Sequence, residues 1–478
     1  MATLYKTPGV YIEEIPKFPP SIAPVETAIP AFIGYTEKAD DQTPGDLTLK
    51  PTRISSLVEY EKYFGGPQKE EVVNVAVEET QEGGVTVALK ATATVPEGTR
   101  SKHIMYYALQ LFFANGGGPC YIVSVAPYLG TFGSVPAQSD LKNGLDTLVK
   151  KDEPTLIVFP EAQSLTIGNF KLLLDEALAQ CAELKDRFVI MDVHGDTISM
   201  SDPNANLLNA IGKFRNQGIT IKNLKYGAAY APNIDTVLDF AYDETKADVV
   251  ITTNGVAAPA VKLDTLKASN NRVYEQAKAA IGDAACRMPP SPAMAGIYAA
   301  VDNSRGVWKA PANIGVSAVI QPSIDFSNVE QDQMNVDPVA GLSINAIRAF
   351  TGKGTLVWGA RTLAGNDNEW RYVNVRRLFN FIEESCKKAT EPFVFEPNDA
   401  NTWVRVQGMV ENFLSVLWRQ GALQGVKPEH AYFVAVGLGK TMTALDILEG
   451  RMIIEVGLAA VRPAEFIIFR FSHKMAES

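Results

Sequence analysis

At 478 residues and 51.9 kDa the chain exceeds what one compact core organises, so two or more domains are expected. Hydrophobic residues make up 46% and charged residues 21%, a globular rather than a disordered composition. The net charge of −10 excludes general binding to nucleic acid or to an anionic membrane surface.

The opening stretch LYKTPGVYIEEIPKFPP, Leu4 to Pro20, reads as one short strand fenced by prolines, with nothing nearby to pair against. Met1–Lys6 lacks the apolar core of a signal peptide, and no run reaches the roughly 18 apolar residues needed to span a bilayer, so folding in a cytoplasm is expected. Prolines 19, 20, 24 and 30 exclude helix until AFIGYTE (31–37), which reads as a buried strand. Ser56 and Glu59 have capping-box spacing ahead of a helix that Gly65-Gly66 ends. Residues 67–100 alternate apolar and polar side chains on either side of Gly83-Gly84, which predicts a β-hairpin insertion.

HIMYYALQLFFANGGG returns to helix. From Pro119 to about Pro259 short apolar runs (CYIVSV, TLIVFP, RFVIMDV, YGAAYAP) alternate with helical segments, a βαβ texture that implies a mostly parallel sheet covered on both faces. An alanine-rich helix, a second helix and the loop DNSRGVWKAPAN (302–313) follow. Strands resume near Ile344. Two amphipathic helices are expected, over 374–388 with Val375, Leu378, Phe379, Ile382 and Cys386 on one stripe, and over 403–420 with Val406, Val410, Phe413, Leu414 and Leu417. HAYFVAVG and RMIIEVGLAAV read as strands, Pro463 breaks the run, and EFIIFRF closes the chain.

Motifs that would carry chemistry are sparse. Cys120, Cys181, Cys286 and Cys386 stand singly in apolar contexts, so they read as buried thiols rather than a metal or redox set. GLGKT (437–441) has Val434 where a phosphate-binding loop needs its first glycine, and TGKGT at Thr351 fails likewise, so both read as turns. MDVHGD places Asp192, His194 and Asp196 at the end of a parallel strand, where α/β enzymes keep their sites. An α/β enzyme using Asp192 and His194 is therefore the alternative reading, against a simple hydrogen-bonded histidine. In the 302–313 loop Arg305, Trp308 and Lys309 are candidate contact residues, and Arg371, Arg376 and Arg377 either face an acidic partner or are solvated. No cofactor or metal site is called.

The chain ends pose the sharper question. Val10 and Ile12 fall on one side of the first strand, with Tyr11 and Ile15 on the other. Phe466 and Ile468 oppose Ile467, Phe469 and Phe471 in the last. Strands apolar on both faces need a sheet to accept them. Composition leaves open whether that sheet belongs to the same chain or to a neighbour.

The opening YKTPGVYIEEI, the segment LQLFFANGGGPCYIVSV, the loop DNSRGVWKAPAN, and the stretch from SINAIRAFTGKGTLVWGARTL through WRYVNVRRLFNFIEES to RPAEFIIFRF closely resemble contractile-tail sheath proteins. Such proteins build the outer tube of myophage-type phage tails, tailocins and extracellular contractile injection systems. The resemblance implies a mixed α/β and α+β multidomain fold: an N-terminal extended arm (1–25), an outer or middle βαβ-type region (26–344) carrying the hairpin at about 67–100, a conserved inner sheath domain (345–464) and a C-terminal arm strand (465–478). It implies a structural, non-enzymatic subunit, or a specialised baseplate- or cap-proximal paralogue. Its partners would be further copies in a helical stack of six-fold rings, an inner tube protein, and baseplate and cap or terminator proteins, with no nucleic acid and no membrane insertion. Assembly in a bacterial cytoplasm, in a phage tail or a released injection particle, is expected. The interface residues so implied are Pro8, Gly9, Val10, Tyr11, Ile12, Glu13 and Ile15 in the first arm, and Glu465, Phe466, Ile467, Ile468, Phe469, Arg470 and Phe471 in the last.

Overall fold

A computed structural model of the chain describes residues 22–194 and 203–469. It divides into two compact units. One comprises Glu26–Phe381 with the described chain from Arg462 on, the other Ile382–Val461 with the described chain up to Val25.

In chain order the strands are β1 (Pro30–Thr36), β2 (Thr52–Ile54), β3 (Asn74–Glu82), β4 (Val85–Thr94), β5 (Cys120–Pro127), β6 (Leu156–Val158) and β7 (Phe188–Asp192). Next come β8 (Gly227–Ala231), β9 (Ile234–Thr236), β10 (Asp248–Thr253), β11 (Val256–Ala257), β12 (Val261–Lys262) and β13 (Cys286–Met288). The last are β14 (Ile314–Gly315), β15 (Val319–Pro322), β16 (Ile344–Phe350), β17 (Gly354–Trp358), β18 (Tyr432–Val436) and β19 (Ile454–Leu458).

The larger unit is organised by a nine-stranded sheet of order β14-β17-β16-β8-β7-β6-β1-β5-β2. It is parallel from β16 to β5 and closed by antiparallel strands at both edges. The expected βαβ texture is thus present, and both faces are covered. Ala31, Ile33 and Tyr35 of β1, with Val189 and Met191 of β7, face the helices Gln138–Thr147 and Ile167–Leu184. Phe32, Phe188 and Ile190, pointing the opposite way, meet the helices Met105–Ala114 and Ser291–Arg305. Such two-sided burial is why these strands read as unbroken apolar runs rather than alternating ones. At Leu57–Phe64 the predicted cap half-closes: Ser56 Oγ accepts from the Glu59 N–H at 3.2 Å, while the Glu59 carboxylate takes the Ser55 N–H instead.

The insertion is larger than the hairpin read from residues 67–100. β3 and β4 pair antiparallel as expected. A strand from 170 residues later, β10, then adds to β3 in parallel, and the helices Leu263–Ser269 and Asn271–Gly282 bury one face. Val75, Val77, Val249, Leu266, Val273 and Ile281 form its separate core.

The boundary expected between 344 and 345 does not separate the units. β16 hydrogen-bonds to β8 in parallel and β17 to β16, so residues 344–358 extend the large sheet, and the second unit begins only at Ile382. In that unit the Ala400–Arg419 helix lays Val406, Val410, Leu414 and Leu417 inward, and β18 and β19 form a two-stranded sheet.

At Gly296 the Ser291–Arg305 helix packs closely on the end of the Met105–Ala114 helix. A Cβ there would lie 2.4 Å from the Phe112 carbonyl oxygen and 2.9 Å from Asn115 Cβ. Backbone cannot yield as a flexible side-chain tip can, so overpacking costs of about 1–3 kcal/mol apply. Gly296→Ala is expected to lower the unfolding free energy of the monomer by that amount, read as a lower urea midpoint with an unchanged denaturant slope.

Candidate assembly interface

The chain leaves the smaller unit at Val461, whose N–H bonds to the Ala422 carbonyl at 3.3 Å. Glu465 is then bound within the larger unit. Arg361 donates from Nε to both carboxylate oxygens (2.9 and 3.2 Å) and from Nη2 to Oε2 at 2.7 Å. Asn335 Nδ2 and the Tyr372 hydroxyl add bonds of 2.9 and 3.1 Å. Burial by itself pushes the Glu465 carboxyl up, but the hydrogen bonds from Arg361 and Asn335 and the Arg361 charge carry it below its ordinary 4.5.

One residue further, the situation reverses. Phe466, Ile467, Ile468 and Phe469 are 70, 75, 76 and 77% exposed, and residues 462–469 form neither helix nor strand. Four consecutive large apolar side chains in water form the most unfavourable stretch of the described surface. Arg470 and Phe471 lie outside the described residues, as do Pro8, Gly9, Val10, Tyr11, Ile12, Glu13 and Ile15 of the first arm.

The smaller unit offers the complementary feature. β18 and β19 pair only with each other among the described residues, leaving both outer edges open. Val434 and Val436 point inward, while Phe433 lies across Gly457 of the facing strand, where a Cβ would sit 2.0 Å from its ring. A two-stranded sheet is marginal in water, and further strands are what normally complete it.

The 302–313 loop is more internal than a docking loop. Trp308 is half-buried with its ring against Gly306, and its carbonyl accepts from Asn374 Nδ2 at 2.8 Å. Lys309 is half-buried and Arg305 exposed. Arg376 and Arg377 turn inward rather than toward an acidic partner. Arg376 stacks on Trp370 at 4.2 Å, and Arg377 pairs with Asp302 at 2.5 Å and donates to the Thr27 carbonyl.

Residues 365–474, which contain β18, β19 and the exposed C-terminal stretch, match the phage tail sheath C-terminal domain family. The helical sheath of the anti-feeding prophage in its contracted state is 31% identical, with a TM-score of 0.62 over 98% of this chain and 100% of that one. The contracted sheath complex of an extracellular contractile injection system, PVC, is 29% identical with a TM-score of 0.63 over 99% of both chains. The tail sheath protein of Burkholderia phage BcepMu is 30% identical over 144 residues, 29% of this chain and 30% of its own. The chain belongs to the contractile tail sheath family. It spans 17 to 30% of the length of the curated phage sheath proteins it matches.

In this sheath protein the strings that suggested chemistry serve the fold. GLGKT forms the turn after β18 and TGKGT the turn between β16 and β17. Cys120, Cys181 and Cys286 are buried and Cys386 is half-buried; burial pushes the Cys386 thiol up to about 11. Among the described residues no group of three or more His, Cys, Asp or Glu side chains is placed to hold a metal, and no helix is long and apolar enough to cross a membrane.

Asp192 and His194 are held separately. Asp192 accepts from the Ser291 N–H at 2.7 Å and Oγ at 2.5 Å, fastening the first turn of the Ser291–Arg305 helix to the end of β7. His194 Nε2 lies 2.6 Å from the Leu165 carbonyl and its ring meets Phe170 edge-on. Asp196 lies outside the described residues.

Burial pushes the Asp192 carboxyl from 3.8 up to about 7, against the Ser291 hydrogen bonds. The folded state therefore keeps a proton that the unfolded chain gives up, and stability falls as pH rises from about 4 to about 7. Asp192→Asn, which keeps the bond from the Ser291 N–H and can reverse the one to Ser291 Oγ, is expected to remove that pH dependence, about 3 kcal/mol between pH 5 and 8 in melts, and to leave assembly intact.

Proposed function

We propose that this chain is a structural subunit of a contractile sheath, whose two terminal arms pass into neighbouring copies and complete their sheets. The exposed run Phe466–Phe469, one residue beyond a firmly held Glu465, carries this reading. The open edges of β18 and β19 are the acceptors: strand addition satisfies the backbone groups of donor and acceptor together. Each Phe or Ile buried in the exchange contributes about 1.5–3 kcal/mol.

Copies woven in this way stack as six-fold rings around an inner tube built by another protein. Baseplate and cap or terminator proteins bound the stack, and the subunits assemble in a bacterial cytoplasm. Contraction is a rearrangement of nearly rigid subunits from a metastable long form to a short one, driven by area newly buried between subunits at roughly 25 cal/mol per Å² of apolar surface. The woven strands persist through it and drive the tube through a target envelope. No catalytic step, nucleotide, nucleic acid or membrane insertion belongs to the chain itself. Its likeness to a chain of the anti-feeding prophage baseplate, 30% identical over 99% of this chain, favours a second reading as the baseplate-proximal ring.

Chains lacking residues 1–16, or ending after Ala464, are expected to keep the far-UV circular dichroism of the full chain yet form no tubes in negative-stain electron microscopy; the second also melts lower, because it leaves Arg361 without Glu465. Truncated chains that still build full-length tubes defeat strand exchange. A full chain that stops at single rings supports the baseplate-proximal reading over the main sheath.

A further inference from the structure

Glu465 was expected among the donated residues, yet its side chain is held by its own body. The pocket that holds it is built to stay. Arg361 is almost fully buried, and its main chain is locked on both sides to Asn345 of β16: the Arg361 N–H donates to Asn345 Oδ1 and Asn345 Nδ2 donates to the Arg361 carbonyl, each at 2.8 Å. The same Asn345 amide reaches the Ala229 carbonyl of β8 at 3.2 Å. Arg361 Nη1 donates to the Asn335 carbonyl at 3.2 Å, and Arg361 bridges to Tyr372, so all three residues around the carboxylate are tied to one another. A two-pronged guanidinium–carboxylate pair is among the stronger directional contacts available, and with the Glu465 side chain only 21% exposed it is weakly screened.

We propose that the Arg361–Asn335–Tyr372 pocket is a fixed anchor for Glu465, so that the strand given to an adjacent copy begins at Phe466 and its pull passes directly into the donor's central sheet. This rests on the strand-exchange reading above.

The anchor changes the reach of the arm decisively. Six extended residues, 466–471, span about 20 Å. Were the chain held only at Val461, four more residues would add about 13 Å of slack. Removing it confines the strand to the nearest copy and raises its effective concentration at the acceptor edge. Tension on the strand meets Glu465 first, and through Arg361 and Asn345 it is shared by β16 and β8, which are central rather than edge strands.

The test uses the full chain with Glu465→Ala, Glu465→Gln, Tyr372→Phe and the double variant Glu465→Ala/Tyr372→Phe. Monomer melting and the concentration at which tubes first pellet are both measured. Glu465→Ala leaves the buried Arg361 guanidinium without its carboxylate, so it is expected to melt below the wild type while staying folded at the assembly temperature, where the tube-forming concentration rises about tenfold, equivalent to about 1.4 kcal/mol. Glu465→Gln, which keeps the shape without the charge, falls between, and serves as the reading should the alanine variant melt early. Tyr372→Phe has a smaller effect of its own and none in the Glu465→Ala background, because the two act through one pocket. Tubes forming at the wild-type concentration in Glu465→Ala and Glu465→Gln overturn the anchor. If the chain ended after Ala464 fails to assemble while those two variants assemble normally, the anchor alone falls. If that truncated chain also forms normal tubes, strand exchange falls with it.

Discussion

The structure turns on an unmet requirement at the end of the chain. An extended segment satisfies its backbone N–H and C=O groups and its large apolar side chains together by joining a sheet, and Phe466, Ile467 and Ile468 are exposed and belong to no strand. A monomer carrying such a segment has exposed surface that drives association. The β18–β19 sheet has the converse need, since among the described residues these two strands pair only with each other, with Val434 and Val436 already turned inward. In the proposed exchange each subunit would carry a donor and an acceptor, a head-to-tail arrangement that propagates rather than closing on a pair.

A propagating lattice that must move has a second constraint, that force reach something stiff. The nine-stranded sheet supplies it. Its central strands are covered by helices on both faces, and two buried ion pairs brace the surroundings: Arg377 with Asp302, and Arg187 with Asp186 plus the carbonyls of Leu148 and Lys151. Breaking such a buried pair is costly, so these contacts favour motion as a rigid body. The Glu465 pocket is the place where an arm meets this stiff element, and it separates what is held within a subunit from what is offered to the next.

The same economy explains the fate of residues that looked chemical. Asp192 sits at the carboxyl end of a parallel strand, but its oxygens are spent on the first turn of a helix. The inward-turned Arg376 and Arg377 brace the first amphipathic helix against Trp370 and Asp302.

Periodicity along the chain sufficed for the elements themselves. The runs AFIGYTE, CYIVSV and RFVIMDV are strands, the stripes after Val375 and Val406 are helices, and Gly83-Gly84 turns a hairpin, because each depends on neighbours within a few residues. The motifs at both ends and in the last third also sufficed for the family. Tertiary structure alone decided what was joined across long separations: β10 onto β3, β16 onto β8, and Glu465 into the Arg361 pocket. Alternation and spacing hold no record of which distant backbone edge or buried guanidinium will be nearest. For that reason a boundary at 344 falls inside a sheet, and Glu465, expected in the arm strand, has its side chain bound within its own chain.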